Sequence, residues 1–172
     1  MIEVMVSRLG LDSASNSYVV ILREKNGARL LPIWIGQSEA ESIVNAINHV
    51  TPARPNAHDL GGALIRGLGG TLRHVAITRV EQNTYYAEMH IDGPSGVVQF
   101  DARPSDSIAV ALRLGAPIFA ASDLLAEFDA ADGATNVPMD TRLPTLEHAL
   151  TTEQLKAYLE RLRPEDFGKF NP

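Results

Sequence analysis

The chain contains no cysteine, which excludes disulfide frameworks, thiolate metal sites and cysteine nucleophiles and leaves any chemistry to oxygen and nitrogen groups. It has no apolar run approaching the ~18 residues of a membrane span. Its first residues, Met1-Ile2-Glu3-Val4-Met5-Val6, do not form a basic region followed by a long apolar stretch. These two absences give a cytoplasmic location, with no membrane partner, as the expectation. Basic residues are in deficit: 15 Lys+Arg against 21 Asp+Glu leave a net charge of −6. A broad cationic surface for nucleic acid is therefore missing, and any chemistry on phosphate would need a local basic patch or a metal ion. No glycine-rich phosphate loop, nucleophile elbow or zinc motif occurs. His49, His74, His90 and His148 fall on different expected elements without metal-ligand spacing.

The 172 residues, 45% hydrophobic and 21% charged, have ordinary globular composition and suit one domain with a short appendage. Ile2 to Val6 and Tyr18 to Leu22 read as strands, and Leu30 to Ile35 as a buried strand with an irregularity. Lys25-Asn26-Gly27 supplies a hairpin turn through residues that tolerate positive φ, and Pro32 belongs at a sheet edge or bulge. Ala40, Ile43, Val44 and Ile47 then form one helix stripe, with Ser38 and Glu41 as a capping box. Asn56 caps a second helix carrying Leu60, Leu64 and Leu68, weakened by Gly61 and Gly62 and ended by Gly69-Gly70.

Leu72 to Val80 and Tyr85 to Ile91 read as strands around Glu81-Gln82-Asn83-Thr84, with Tyr85, Ala87, Met89 and Ile91 on one face, and Val97 to Asp101 follows as a third. Pro104 opens a helix with Ile108, Ala111 and Leu112 inward and Gly115 as its stop. Ile118 to Ala120 is a short strand, and Ser122 caps a helix through Phe128. Residues 129–145 read as a linker, and Thr151 with Gln154 caps a final helix striped by Leu155, Tyr158, Leu159 and Leu162. The fold class is α+β, mixed β-sheets with helices plus a C-terminal helix, in a domain over 1–128 and a linker and amphipathic helix over 129–172. Ile33 to Glu39 and Val98 to Asp106 share a strand-to-helix layout in which Ser38-Glu39 corresponds to Ser105-Asp106. Duplication of a strand-helix unit explains the match, and so does the preference of any helix start for Ser followed by an acid.

Two polar clusters follow apolar segments: Arg54-Pro55-Asn56-Ala57-His58-Asp59 and Asp101-Ala102-Arg103-Pro104-Ser105-Asp106. Each offers a carboxylate, suited to Mg²⁺ or Mn²⁺, and a guanidinium that matches phosphate oxygens. His58 adds an imidazole for acid or base work near neutral pH. A plainer reading stands beside each of these. Asp101 and Asp106 flank a helix start with Arg103 paired to one of them, and His58-Asp59 is a cap with an exposed histidine. Glu39 and Glu41 read as helix-start charges, and Trp34 as core.

Three separated motifs, Leu31-Pro32-Ile33-Trp34-Ile35-Gly36 with Glu39-Ala40, Arg54-Pro55 with His58-Asp59-Leu60, and Asp101-Ala102-Arg103-Pro104-Ser105-Asp106-Ser107-Ile108-Ala109, resemble the bifunctional nuclease domain family in order and spacing. The match spans roughly Met1 to Phe128, and Ser107 stands where the family commonly has Ala. The resemblance implies a compact mixed α/β domain, often homo-oligomeric, that degrades DNA and RNA. It brings no residue roles with it.

On the residues themselves, the catalytic candidates are His58, Asp59, Asp101 and Asp106. A divalent cation is expected on Asp101 and Asp106, and Arg54, Arg103 and Ser105 are expected against nucleic-acid phosphate. The alternative is a non-catalytic oligomeric binding or regulatory module in which the same clusters are structural pairs. Arg54, His58, Asp59, Asp101, Arg103 and Asp106 are expected to converge on one cleft. Self-association is expected through the Pro32 edge strand and the tail helix.

Overall fold

A computed structural model describes residues 1–12 and 17–127, all within the unit Met1–Met139. The expected linker and the helix after Thr151 lie outside the described residues. Seven strands form one mixed sheet: β1 (Ile2–Asp12), β2 (Ser17–Glu24), β3 (Leu30–Ile35), β4 (Thr71–Glu81), β5 (Thr84–Gly93), β6 (Gly96–Ala102) and β7 (Ile118–Ala120). The helices are α1 (Gln37–Ile47), α2 (Ala57–Gly67) and α3 (Pro104–Leu114). None of them is long and apolar enough to cross a membrane.

The sheet order is β3-β2-β1-β7-β4-β5-β6. It decomposes into two halves of the same layout, each an antiparallel three-stranded meander that runs from the centre to an edge and then into a helix. β3 leads into α1, and β6 leads across the last residues into α3. The matching Ser-acid starts of these two helices therefore occupy equivalent places in the two halves. β7 joins the halves, antiparallel to β1 and parallel to β4.

Alternation along the strands places the core. Val20, Leu22, Leu31 and Ile33 on one side, and Val75, Ile77 and Ala87 on the other, are buried with Ile43 of α1 and Ile108, Ala109 and Ala111 of α3. Tyr85, Met89 and Ile91 pack against this core as their period of two requires. Pro32 sits on the edge strand, where a missing N–H leaves no ladder bond unmade. α2 approaches α3 through its glycines: a Cβ on Gly62 would lie 3.4 Å from Leu114. Gly62 is thus the contact rather than a weakness, and Leu60, Leu64 and Leu68 face outward, 53–75% exposed. Gly115 ends α3 at φ 67°, a left-handed conformation that favours glycine.

Five local expectations are corrected. The N-cap of α1 is Gly36 and carries no side-chain cap bond, because Ser38 donates to Glu39 Oε2 at 2.9 Å and Glu41 accepts from Gln37. The β2–β3 connection turns at Lys25 to Gly27 without positive φ at Asn26 or Gly27. That conformation is instead used by Gln82 and Asn83, at φ 48° and 61°, in the two-residue β4–β5 turn. Ser122 opens only a 3-10 turn, Ser122–Leu124, since Ala126 pairs backbone to backbone with Leu30 and draws the chain onto the sheet edge. Trp34 is 55% exposed, because the alternation that buries Leu31 and Ile33 puts it on the opposite face of β3. β1 runs on to Asp12 past a bulge between Val6 and Arg8.

Candidate active site

The starts of α1, α2 and α3 meet in one hydrogen-bonded network. Asn56, the N-cap of α2, accepts from the backbone N–H groups of His58 and Asp59, while Asp59 Oδ2 accepts from the Asn56 N–H at 2.9 Å. This capping box fixes the first turn of α2 and directs the His58 ring to α1 and α3. His58 Nδ1 lies 2.8 Å from Ser42 Oγ, and His58 Nε2 lies 3.0 Å from Asp106 Oδ1. Arg103, just before α3, donates from Nε to Asp106 Oδ2 at 2.7 Å and from Nη2 to Asp106 Oδ1 at 3.0 Å and Glu39 Oε1 at 2.7 Å. Glu39 and Asp106, the equivalent acids of the two halves, are thus bridged by one guanidinium.

On the other side of His58, Arg113 reaches back from the last turn of α3. It donates from Nε to Asp59 Oδ1 at 2.6 Å, from Nη1 to the carbonyls of Ser42 (3.1 Å) and Ala109 (2.9 Å), and from Nη2 to Ser42 Oγ at 2.9 Å. Counting donors fixes the protons. Ser42 Oγ accepts from Arg113 and, at 3.3 Å, from Asn56 Nδ2, so its own hydrogen goes to His58 Nδ1. His58 Nε2 then carries the ring proton and donates it to Asp106. Ser42, His58 and Asp106 have the composition of a hydrolase triad without its access: the Ser42 hydroxyl is buried and both its lone pairs are in use.

The carboxylates are held acidic. Burial pushes Asp106 up, but the bonds from Arg103 and His58 outweigh it and leave the group below its ordinary 3.8. Asp59 is lowered chiefly by Arg113, then by the Asn56 amide. Glu39 is lowered first by its own backbone N–H, then by Ser38 and Arg103. Asp106 first, and then Glu39, hold the Arg103 proton more tightly than usual.

An acid limb of stability follows from these directions. Carboxylates with depressed folded pKa values contribute stability that is complete above their ordinary values of 3.8 and 4.5 and is lost as pH falls through the folded ones. Urea midpoints are expected to hold steady down to about pH 5 and then to fall steeply. A midpoint unchanged at about pH 3 would show that the network contributes nothing to stability.

His58, Asp59, Arg103 and Asp106 therefore belong to one network, as their convergence requires. Arg54, in the exposed loop before α2, and Asp101, exposed on β6 opposite Glu88, are not joined to it among the described residues. Ser105 is buried in the first turn of α3. Asp106 already has both oxygens engaged, and among the described residues no three His, Asp or Glu side chains group as metal ligands. The cation expected on Asp101 and Asp106 lacks a prepared donor set there. Ser107 uses its hydroxyl to bond the Arg103 carbonyl at 2.9 Å.

Sequence reasoning missed Ser42 and Arg113 and dismissed Glu39. The match of Ser38-Glu39 with Ser105-Asp106, and the place of Glu39-Ala40 in the first family motif, pointed toward Glu39. Ser42 and Arg113 left no local signal, because a serine in mid-helix and an arginine in a last helical turn are ordinary there.

A protein of Mycobacterium tuberculosis, described as uncharacterised, is 38% identical over 167 residues, covering 96% of this chain and 97% of that protein. Bifunctional nuclease 1 of Arabidopsis thaliana is 28% identical over 146 residues, 83% of this chain and 45% of the plant protein. Bifunctional nuclease 2 of the same plant is 31% identical over 108 residues, 61% of this chain and 33% of that one. The family model for the bifunctional nuclease domain matches residues 20–132, which include α1, α2, α3 and every side chain of the network. The chain belongs to the bifunctional nuclease domain family.

Proposed function

We propose that the protein hydrolyses phosphodiester bonds in nucleic acid where the starts of α1, α2 and α3 meet. The observation that carries this reading is Arg103: its side chain is 67% exposed, held in place by Asp106 and Glu39, with Nη1 left unbonded among the described residues. An exposed guanidinium with one nitrogen open suits a phosphate oxygen.

A phosphate that draws Arg103 away from Asp106 removes one of the causes of that group's acidity and makes it a stronger base. Asp106 then takes a proton from water as the water oxygen attacks phosphorus, and the P–O bond breaks with its electron pair going to the leaving oxygen, which takes a proton from solvent. His58 Nε2–H keeps Asp106 aimed, while Ser42, Asn56, Asp59 and Arg113 fix His58. Ser105 and the N-terminal turn of α3 lie beside the phosphate, and Arg54 contacts the strand farther along.

The test is cleavage of single- and double-stranded DNA and RNA by the purified chain, with Mg²⁺, Mn²⁺ or EDTA, beside Asp106→Asn. Cleavage by the parent that is lost in the variant is expected. No cleavage under any condition, or equal cleavage by Asp106→Asn, would sink the reading. A second reading, a non-catalytic oligomeric module, is favoured by the mutual satisfaction of Ser42, His58 and Asp106 and by the net charge of −6. It predicts inactivity and a multimer mass by light scattering.

A further inference from the structure

We propose that the groove beside Arg103 binds one unit of a single-stranded nucleic acid, with its base stacked on Trp34 and its phosphate toward Arg103. This rests on the nuclease reading and adds the strandedness of the substrate. The groove, of about 380 Å³, is a volume suited to a nucleotide. Its walls come from distant parts of the sheet: Trp34 and Gly36 at the end of β3, Glu39 of α1, Tyr85 at the β4–β5 turn, and Arg103 and Ser105 at the start of α3. β3 is the outermost strand on one side, so the sheet must curl to bring its end to the β4–β5 turn.

Trp34 is the feature that selects the ligand. It is the sole tryptophan of the chain and lies 55% exposed on a strand whose neighbours Leu31 and Ile33 are buried. A flat indole beside a fixed guanidinium is the pairing that holds a base and its phosphate, and stacking accepts any base because each has a π-face. Tyr85, packed against the core, gives the groove a rigid back. A duplex keeps its bases inside the stack, out of reach of a side chain on a sheet edge, whereas a single strand splays them outward. With one guanidinium in the groove and an acidic chain around it, binding draws little on counterion release. The logarithm of affinity should then fall with the logarithm of salt at a slope of roughly −0.7, not several times steeper.

The experiment is a titration of the full chain with a short phosphorothioate oligothymidylate, read by Trp34 fluorescence and by anisotropy of a labelled strand, beside a duplex of the same length. Saturable quenching by the single strand and none by the duplex is expected. Trp34→Ala should weaken binding about ten-fold or more, and Trp34→Phe should restore most of it. Thermal midpoints of both variants confirm folding. Equal response to the duplex, or undiminished binding by a folded Trp34→Ala, overturns the proposal. So does quenching that depends on protein concentration without oligonucleotide, which would mark the groove as a contact with a second copy. Cleavage of single strands without quenching overturns the groove alone and leaves the nuclease reading. Quenching without cleavage supports the groove and removes the nuclease reading.

Discussion

Arg113→Ala is expected to lower the stability of the protein by roughly 3–5 kcal/mol, the range for breaking a buried ion pair by removing one partner. At about 2–4 °C per kcal/mol for a chain of this size, the thermal midpoint should drop by about 6–20 °C. The Arg113 side chain is only 12% exposed and satisfies the Asp59 carboxylate, the Ser42 hydroxyl and two backbone carbonyls. Its removal leaves each of these without that donor inside the α1–α2–α3 junction. Arg113→Lys should recover little, because one ammonium cannot reproduce donation from Nε, Nη1 and Nη2 in a plane. A midpoint within a few degrees of the parent for Arg113→Ala would show that water or a neighbour takes over its bonds.

Arg103→Ala has the opposite signature. It should reduce cleavage by about 10²–10³-fold, the loss typical of one preorganised charge-stabilising group, while costing at most about 1 kcal/mol, because its ion pairs are solvent-exposed on the arginine side. Arg103→Lys should not restore the rate, since one ammonium lacks the planar set of donors that can leave Asp106 for a phosphate while keeping Glu39. Two arginines ten residues apart, one just before α3 and one in its last turn, would then separate stability from activity. The result that sinks this assignment is a stable Arg103→Ala variant that cleaves as well as the parent.

The elements were legible in the sequence wherever one face alternates or recurs: Tyr85, Ala87, Met89 and Ile91 on β5, and Ile108, Ala111 and Leu112 on α3, lie as their periods require. Local cap rules succeeded at Asn56 and failed at Ser38. At Asn56 the side chain has the new helix's N–H groups to itself, whereas at Ser38 the neighbouring Glu39 offers a stronger acceptor. Trp34 was read as core because an apolar run on a strand does not state which face is covered. The candidate site was legible only at His58, Asp59, Arg103 and Asp106, whose polar density is local. Arg113 joins Ser42 across 71 positions and His58 joins Asp106 across 48, separations that no spacing rule reaches.

β7 has only three residues, yet it is the seam between the two meanders, with Ile118 opposite Val4 on one side and beside Val75 on the other. Each meander is closed by neighbours in sequence and carries little loop-closure cost, so both can form as soon as their own strands exist. The seam pairs Ile2 with Ala120, the longest separation in the sheet among the described residues. During synthesis the first meander therefore emerges complete but with the inner edge of β1 open, and it stays open until residue 120 leaves the ribosome. The order of the chain thus sets a waiting period in which an unpaired strand edge must be kept from pairing elsewhere.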